Sequence, residues 1–216
     1  MFYKIMRILV WPFIKLFYPT KVIGRENLPE GKAVLVCNHY RMADVLVLGV
    51  NIKKPLNFMG KKELFENKFT RWLLTKLNGF PVDREKPDLH AVRQGLKILK
   101  DDRYLAIFPE GTRNKTGGEQ LQQIKSGAVF FAVKGDAPVV PMMLMGPPRF
   151  LKINRLVIGK PLSLSGYADR KLDENASSEA AGIIFREMEG LRSRCIESEK
   201  EKKKIKNSSE TDVLQD

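Results

Sequence analysis

The strongest constraint on this chain is a set of short apolar runs without polar alternation. Ala33-Val34-Leu35-Val36-Cys37, Tyr104 to Phe108 and Val139 to Met145 each have strand length and carry no charge. A strand with one face in water alternates apolar and polar residues, so a continuous run implies that both faces are covered. Shorter strand candidates lie at 21–24, 56–59, 80–82 and 156–158. Between them the periodicity turns helical: at 44–51; over 61–78 through Leu64, Phe65, Phe69, Trp72, Leu73 and Leu77; after Pro87-Asp88 through Leu89, Val92, Leu96 and Leu99; at 126–134; and from Ala176 to Lys204. Strands that alternate with helices build a mostly parallel sheet with helices on both faces. A chain of 216 residues is long enough for one such domain. The expectation is a single α/β domain over residues 20–205, with a mostly parallel mixed sheet flanked by helices. A helix over 1–19 precedes it and a polar, disordered tail over 206–216 follows.

The N-terminal segment is unusual. Its only charges before Tyr18 are Lys4, Arg7 and Lys15, which fall within an arc of roughly 80° on a helix. Phe2, Ile5, Met6, Leu9, Phe13, Leu16 and Phe17 fill the opposite side, and Trp11 and Tyr18 stand near the charged arc, as amphipathic rings do at a water–lipid boundary. This pattern predicts an amphipathic helix lying in a membrane interface, with Pro12 kinking or splitting it. The alternative is a helix that covers the core. No run is long enough to span a bilayer, and no small-residue cleavage site follows before Lys21. The net charge is +13. In the last twenty residues acids slightly outnumber lysines, so the basic excess belongs to the folded body and calls for an anionic partner. Nucleic acid is disfavoured, because the lysines are spread rather than striped and no nucleic-acid motif is present. The two cysteines, Cys37 and Cys195, form neither a disulfide framework nor a metal-type spacing.

Two motifs follow strand candidates, where sites gather in sheets of this kind. In Asn38-His39-Tyr40-Arg41-Met42-Ala43-Asp44 a tight turn would let Asp44 take the Nδ1 proton of His39, leaving Nε2 as a base. That is the base–orienter half of a catalytic triad, with the substrate's hydroxyl as nucleophile. In Phe108-Pro109-Glu110-Gly111-Thr112-Arg113 the glycine permits close approach, and Thr112 and Arg113 can hold a phosphate. Lys61-Lys62-Glu63 opens the third helix, Gly79 to Arg84 closes it, and Lys125-Ser126-Gly127 starts another. Cys37, two residues before His39, raises a cysteine nucleophile as an alternative to a small buried strand residue.

Together these blocks resemble the glycerolipid acyltransferase family, whose best-known members, bacterial ones among them, are 1-acylglycerol-3-phosphate acyltransferases. Asn38 to Asp44, Gly79 to Arg84, Phe108 to Arg113 and Val139-Val140-Pro141 stand in the family's order. Gly24 to Pro29 and Lys61 to Leu64 also match, so that the likeness covers roughly residues 20–165. The resemblance implies His39 as general base and Asp44 as its orienting partner. It implies Lys61, Arg84, Gly111, Thr112 and Arg113 around the acceptor phosphate, with Glu110 shaping that loop and Pro141 the acyl side. It further implies direct attack without metal, cofactor or acyl-enzyme, with acyl-carrier protein or acyl-CoA as donor substrate. The acceptor would be a membrane lysophosphatidate, acylated at the sn-2 hydroxyl to phosphatidate, by a peripheral or monotopic protein on the cytoplasmic face of the cell membrane. The chain departs from the family at Arg41, where serine or threonine is frequent. Other phosphate-bearing acceptors, such as glycerol-3-phosphate or another lysophospholipid, remain open, as does a non-enzymatic basic module.

Overall fold

The computed structural model describes residues 2–114 and 121–212; positions 213–216 of the expected tail lie outside these. The chain runs α1 (Phe2–Phe17), β1 (Thr20–Ile23), β2 (Ala33–Cys37), α2 (Ala43–Asn51), β3 (Leu56–Lys61), α3 (Lys68–Lys76), β4 (Gly79–Val82), α4 (Leu89–Lys100), β5 (Tyr104–Ile107), α5 (Gly127–Lys134), β6 (Val139–Leu144), β7 (Asn154–Ile158) and α6 (Glu174–Asp212). The seven strands form one sheet in the order β1-β7-β6-β2-β5-β3-β4. Neighbours pair in parallel except β6 and β7, so β1 and β7 run against the other five.

The uninterrupted apolar runs are buried on both sides, as their composition requires. Val34, Val36, Leu105 and Ile107 pack into one core with α4, α5 and α6. Ala33, Leu35, Cys37, Tyr104 and Ala106 pack into a second core on the opposite face, with α1 and α2. Helices α4 and α5 meet at Gly95, where an added Cβ would come within 2.3 Å of the Phe131 ring.

Two elements depart from expectation. The 61–78 segment is not one helix. β3 extends to Lys61, a 3-10 turn covers Lys62–Phe65, and α3 begins only after Asn67. The Asn67 side chain accepts from the Phe69 and Thr70 amides and so starts a new helix. No residue of α3 is buried; Phe69 and Trp72 face outward, and Trp72 meets Phe2 of α1 edge-on at 5.4 Å. At the other end of the chain, α6 opens with Asp173 capping the Ala176 amide at 2.9 Å and continues past Lys204 through 206–212.

Helix α1 is a single element across Pro12. Ile14 is buried, and Met6 and Val10 line the seam with α2. Two of its cations turn toward the domain. Arg7 donates to the carbonyls of Ile52 and Lys53, and Lys15 Nζ donates to Asn51 Oδ1 at 2.7 Å. These groups close the C-terminal end of α2, where cations complement the helix dipole. Apart from Lys4, what remains outward is mostly apolar: Ile5, Ile8, Leu9, Phe13 and Leu16 are all exposed. An ordinary surface helix has the reverse arrangement. Among the described residues, no helix is long and apolar enough to cross a membrane.

Candidate active site

The motif residues come from the carboxyl ends of four adjacent parallel strands: His39 after β2, Lys61 at the end of β3, Arg84 after β4 and the 108–113 loop after β5. After β2 the chain turns tightly into α2, so Asp44 in the first helical turn reaches back. Its Oδ2 accepts from His39 Nδ1 at 2.7 Å, from the Tyr40 amide at 2.6 Å and from the Arg41 amide at 2.7 Å. Asp44 is fully buried. One oxygen therefore holds both the turn and the imidazole, and a carboxylate at Nδ1 favours the proton there and leaves Nε2 free to accept one. The His39 ring stacks on Phe108 with 4.0 Å between centroids, which sets the remaining freedom of the ring.

His39 opens onto a cavity of about 300 Å³. One part of its wall is basic, with Lys61, Arg84 and Arg113; the other is apolar, with Met42, Val45, Phe58, Leu64, Phe65 and Leu74. Arg84 is placed by a turn in which Asp88 accepts the Asp83 amide and Asp83 pairs with Lys62 at 2.7 Å. Its guanidinium donates to the Gly111 carbonyl. Burial lowers the Arg84 pKa from the usual arginine value, and the neighbouring Arg113 adds to that effect. Two arginines that repel each other across a cavity could together receive a multiply charged anion. Lys61 holds Glu63 at 3.0 Å and completes the group.

Not every expected residue joins it. Thr112 does not line this cavity; its hydroxyl donates to Gln122 Oε1 at 3.2 Å. Glu110 is buried and accepts the His39 amide at 3.2 Å, so it braces the His39 backbone from behind rather than joining the basic wall of the cavity. Burial raises its pKa above the ordinary glutamate value, against the hydrogen bond from His39. Gly111 contributes its carbonyl to Arg84 and a left-handed backbone, φ 70°. Pro141 sits inside β6 and does not line the cavity either. Arg41 is exposed, outside the cavity wall, so the unusual residue of the motif supplies its amide to Asp44 and leaves the lining unchanged.

One residue was read from sequence only as a helix start. Lys125 lies across Gly111, its Cε 3.0 Å from where a Cβ would stand. With Arg84 and Lys86 it lines a second basic hollow of about 450 Å³, which shares Met59, Arg84 and Phe108 with the first. Cys37, by contrast, is fully enclosed in β2, and burial pushes its thiol well above the usual range, which removes it as a nucleophile.

A family model described as Acyltransferase matches residues 19–145. The chain is 36% identical over 178 residues to the 1-acyl-sn-glycerol-3-phosphate acyltransferase of Bacillus subtilis (strain 168), covering 78% of this chain and 87% of that one. It is 30% identical over 172 residues to the protein of the same name from Pseudomonas aeruginosa, covering 74% and 66% respectively. A Saccharomyces cerevisiae protein of that name is 28% identical, and the chain spans 60% of its length. The crystal structure of the 1-acyl-sn-glycerophosphate (LPA) acyltransferase PlsC from Thermotoga maritima shares the fold, with a TM-score of 0.64 at 23% identity over 88% of this chain and 81% of that one. The His39–Asp44 pair and the basic loop both fall within the matched segment, and the chain belongs to the acyltransferase family.

Proposed function

We propose that this protein transfers an acyl group from acyl-carrier protein or acyl-CoA to the sn-2 hydroxyl of 1-acylglycerol-3-phosphate, giving phosphatidate. The observation that carries the reading is the orientation of His39: Nδ1 is committed to Asp44 at 2.7 Å, and the ring opens onto a cavity with one basic and one apolar wall. Lys61, Arg84 and Arg113 would take the acceptor phosphate by charge-assisted hydrogen bonds. The acyl chains would follow the apolar wall. A further apolar recess between α1 and α2 shares Val45 and Phe58 with it and continues along Met6, Val10 and Leu46.

With the phosphate held, His39 Nε2 removes the proton of the sn-2 hydroxyl as that oxygen attacks the thioester carbonyl carbon. The buried Asp44 carboxylate stabilises the imidazolium that forms. The tetrahedral intermediate collapses with cleavage of the C–S bond, and the imidazolium returns its proton to the leaving thiolate. The ester bond forms as the thioester bond breaks, so no acyl-enzyme, metal or cofactor enters the step. Membrane lipids supply the acceptor, and the outward apolar face of α1 supports a peripheral or monotopic position on the cytoplasmic face of the membrane.

The test is product identification by mass spectrometry, using purified protein in detergent with both donors and a panel of lysophospholipids and glycerol-3-phosphate. Phosphatidate formed from lysophosphatidate supports the reading; turnover of other acceptors alone overturns the acceptor assignment. His39→Ala should lower kcat by about 10²–10⁴ with the fold intact, and retained activity would dismiss the mechanism.

A further inference from the structure

The chain from Arg149 to Ile153, between β6 and β7, breaks the rule that a tight surface turn is polar. Phe150, Leu151 and Ile153 are 56%, 59% and 63% exposed. The loop is nonetheless built rigidly. Asn154 is largely buried, and its Nδ2 donates to the carbonyls of Arg149 at 3.1 Å and Lys152 at 3.0 Å, while its Oδ1 accepts the Arg149 amide at 2.7 Å. Leu151 is held at φ 52°, a left-handed conformation that disfavours leucine, with its amide on the Phe17 carbonyl at 2.7 Å. Such strain in an exposed apolar residue has no packing reason inside the protein.

The loop is locked to the end of α1. The rings of Phe17 and Phe150 stack at 5.1 Å, and Tyr18 meets Phe150 edge-on at 6.0 Å. The exposed row of α1 and the loop triad are therefore neighbouring parts of one apolar surface. Their charges agree. The first carboxylate of the chain is Glu26, and none occurs between Asp136 and Asp169. Lys4 of α1 and Arg149 and Lys152 of the loop are exposed cations within these segments. Apolar segments that carry cations and no carboxylate of their own complement an anionic bilayer.

We propose that the 149–153 loop is a second membrane-inserting element, which enters an anionic lipid surface together with α1. This rests on the membrane reading of α1 above and extends it to a segment some 130 residues distant in sequence. A second attachment point would constrain the protein's tilt on the bilayer more tightly than the apolar face of one helix does alone.

The experiment places an environment-sensitive fluorophore at Leu151→Cys and, separately, at Leu9→Cys on α1; the native Cys37 and Cys195 are buried. Each labelled protein is titrated with phosphatidylcholine vesicles containing phosphatidylglycerol, with and without acyl-chain bromination. Both labels should shift to the blue and be quenched by brominated lipid. Quenching at position 9 with position 151 still in water overturns the loop and leaves α1 as the sole contact. No change at either position overturns the membrane reading itself. A blue shift at 151 that grows with protein concentration in the absence of vesicles assigns the face to a second copy of the chain and also overturns the proposal. Phe150→Ser with Ile153→Ser should weaken vesicle partition about tenfold or more, leaving turnover of detergent-dispersed acceptor unchanged; unaltered partition would count against the loop.

Discussion

Asp44 does several jobs through one oxygen, and this makes its charge separable from its shape. In Asp44→Asn the amide oxygen can still accept from His39, Tyr40 and Arg41, so the turn should survive. What is lost is the negative charge that stabilises the imidazolium, and kcat should fall by on the order of 10²–10⁴ with a near-native circular dichroism spectrum. Glu110 offers the complementary test. Its raised pKa means that the folded state holds the proton more firmly than the unfolded chain does. Stability attributable to it is therefore full at low pH and lost as pH rises from the ordinary glutamate range through the folded value. Glu110→Gln keeps an acceptor for the His39 amide and removes the ionisation. Thermal melts should show the variant more stable than the parent at pH 7, with the gap closing in acid. These two carboxylates also mark how far the residues could be read from sequence. The five-residue spacing of His39 and Asp44 is local and was legible. The bond from Glu110 spans 71 positions, and the contact of Lys125 with Gly111 exists only after β5 and α5 are packed; no spacing rule announces either.

The strands were the most legible elements, because runs such as Ala33–Cys37 are apolar on both faces and can only be interior. The helices were legible in position but less so in orientation. Periodicity finds an apolar side without saying what covers it, and in α3 and α1 that side faces out. The break at Asn67 was missed because an asparagine side chain that caps a helix competes with a pattern that reads straight through it. Where two helices touch, composition had to match closely. Gly95 of α4 admits the Phe131 ring of α5, and Gly95→Ala would drive a methyl to 2.3 Å from it. The substitution favours the isolated helix but should destabilise the protein by about 1–3 kcal/mol, measurable as a lowered midpoint in urea with an unchanged m-value.

At the scale of the whole molecule, basic charge and apolar surface act over different ranges. The body's excess of cations would draw the protein to an anionic surface over roughly 10 Å at 0.1 M salt and only about 3 Å at 1 M, whereas insertion of apolar side chains would be far less sensitive to salt. Raising sodium chloride should therefore lower the affinity for anionic vesicles to a plateau above zero in a co-sedimentation assay. Neutral vesicles should show that plateau at every salt concentration. Complete release at high salt would mean that the outward face of α1 stays in water. The reversed edge of the sheet gives this attachment a mechanical meaning. α1 leads into β1 and the 149–153 loop into β7, and the first rung joining those strands is Thr20 opposite Asn154. β7 is hydrogen-bonded to β6, whose last residue, Leu144, exchanges two hydrogen bonds with Asn38, next to the base. Backbone ladders stretch very little, so on a bilayer that takes up α1 and this loop the height of His39 above the lipid plane would be set by the sheet: the protein would work as a depth gauge, reading the bilayer at one edge and holding its chemistry at a constant distance from it.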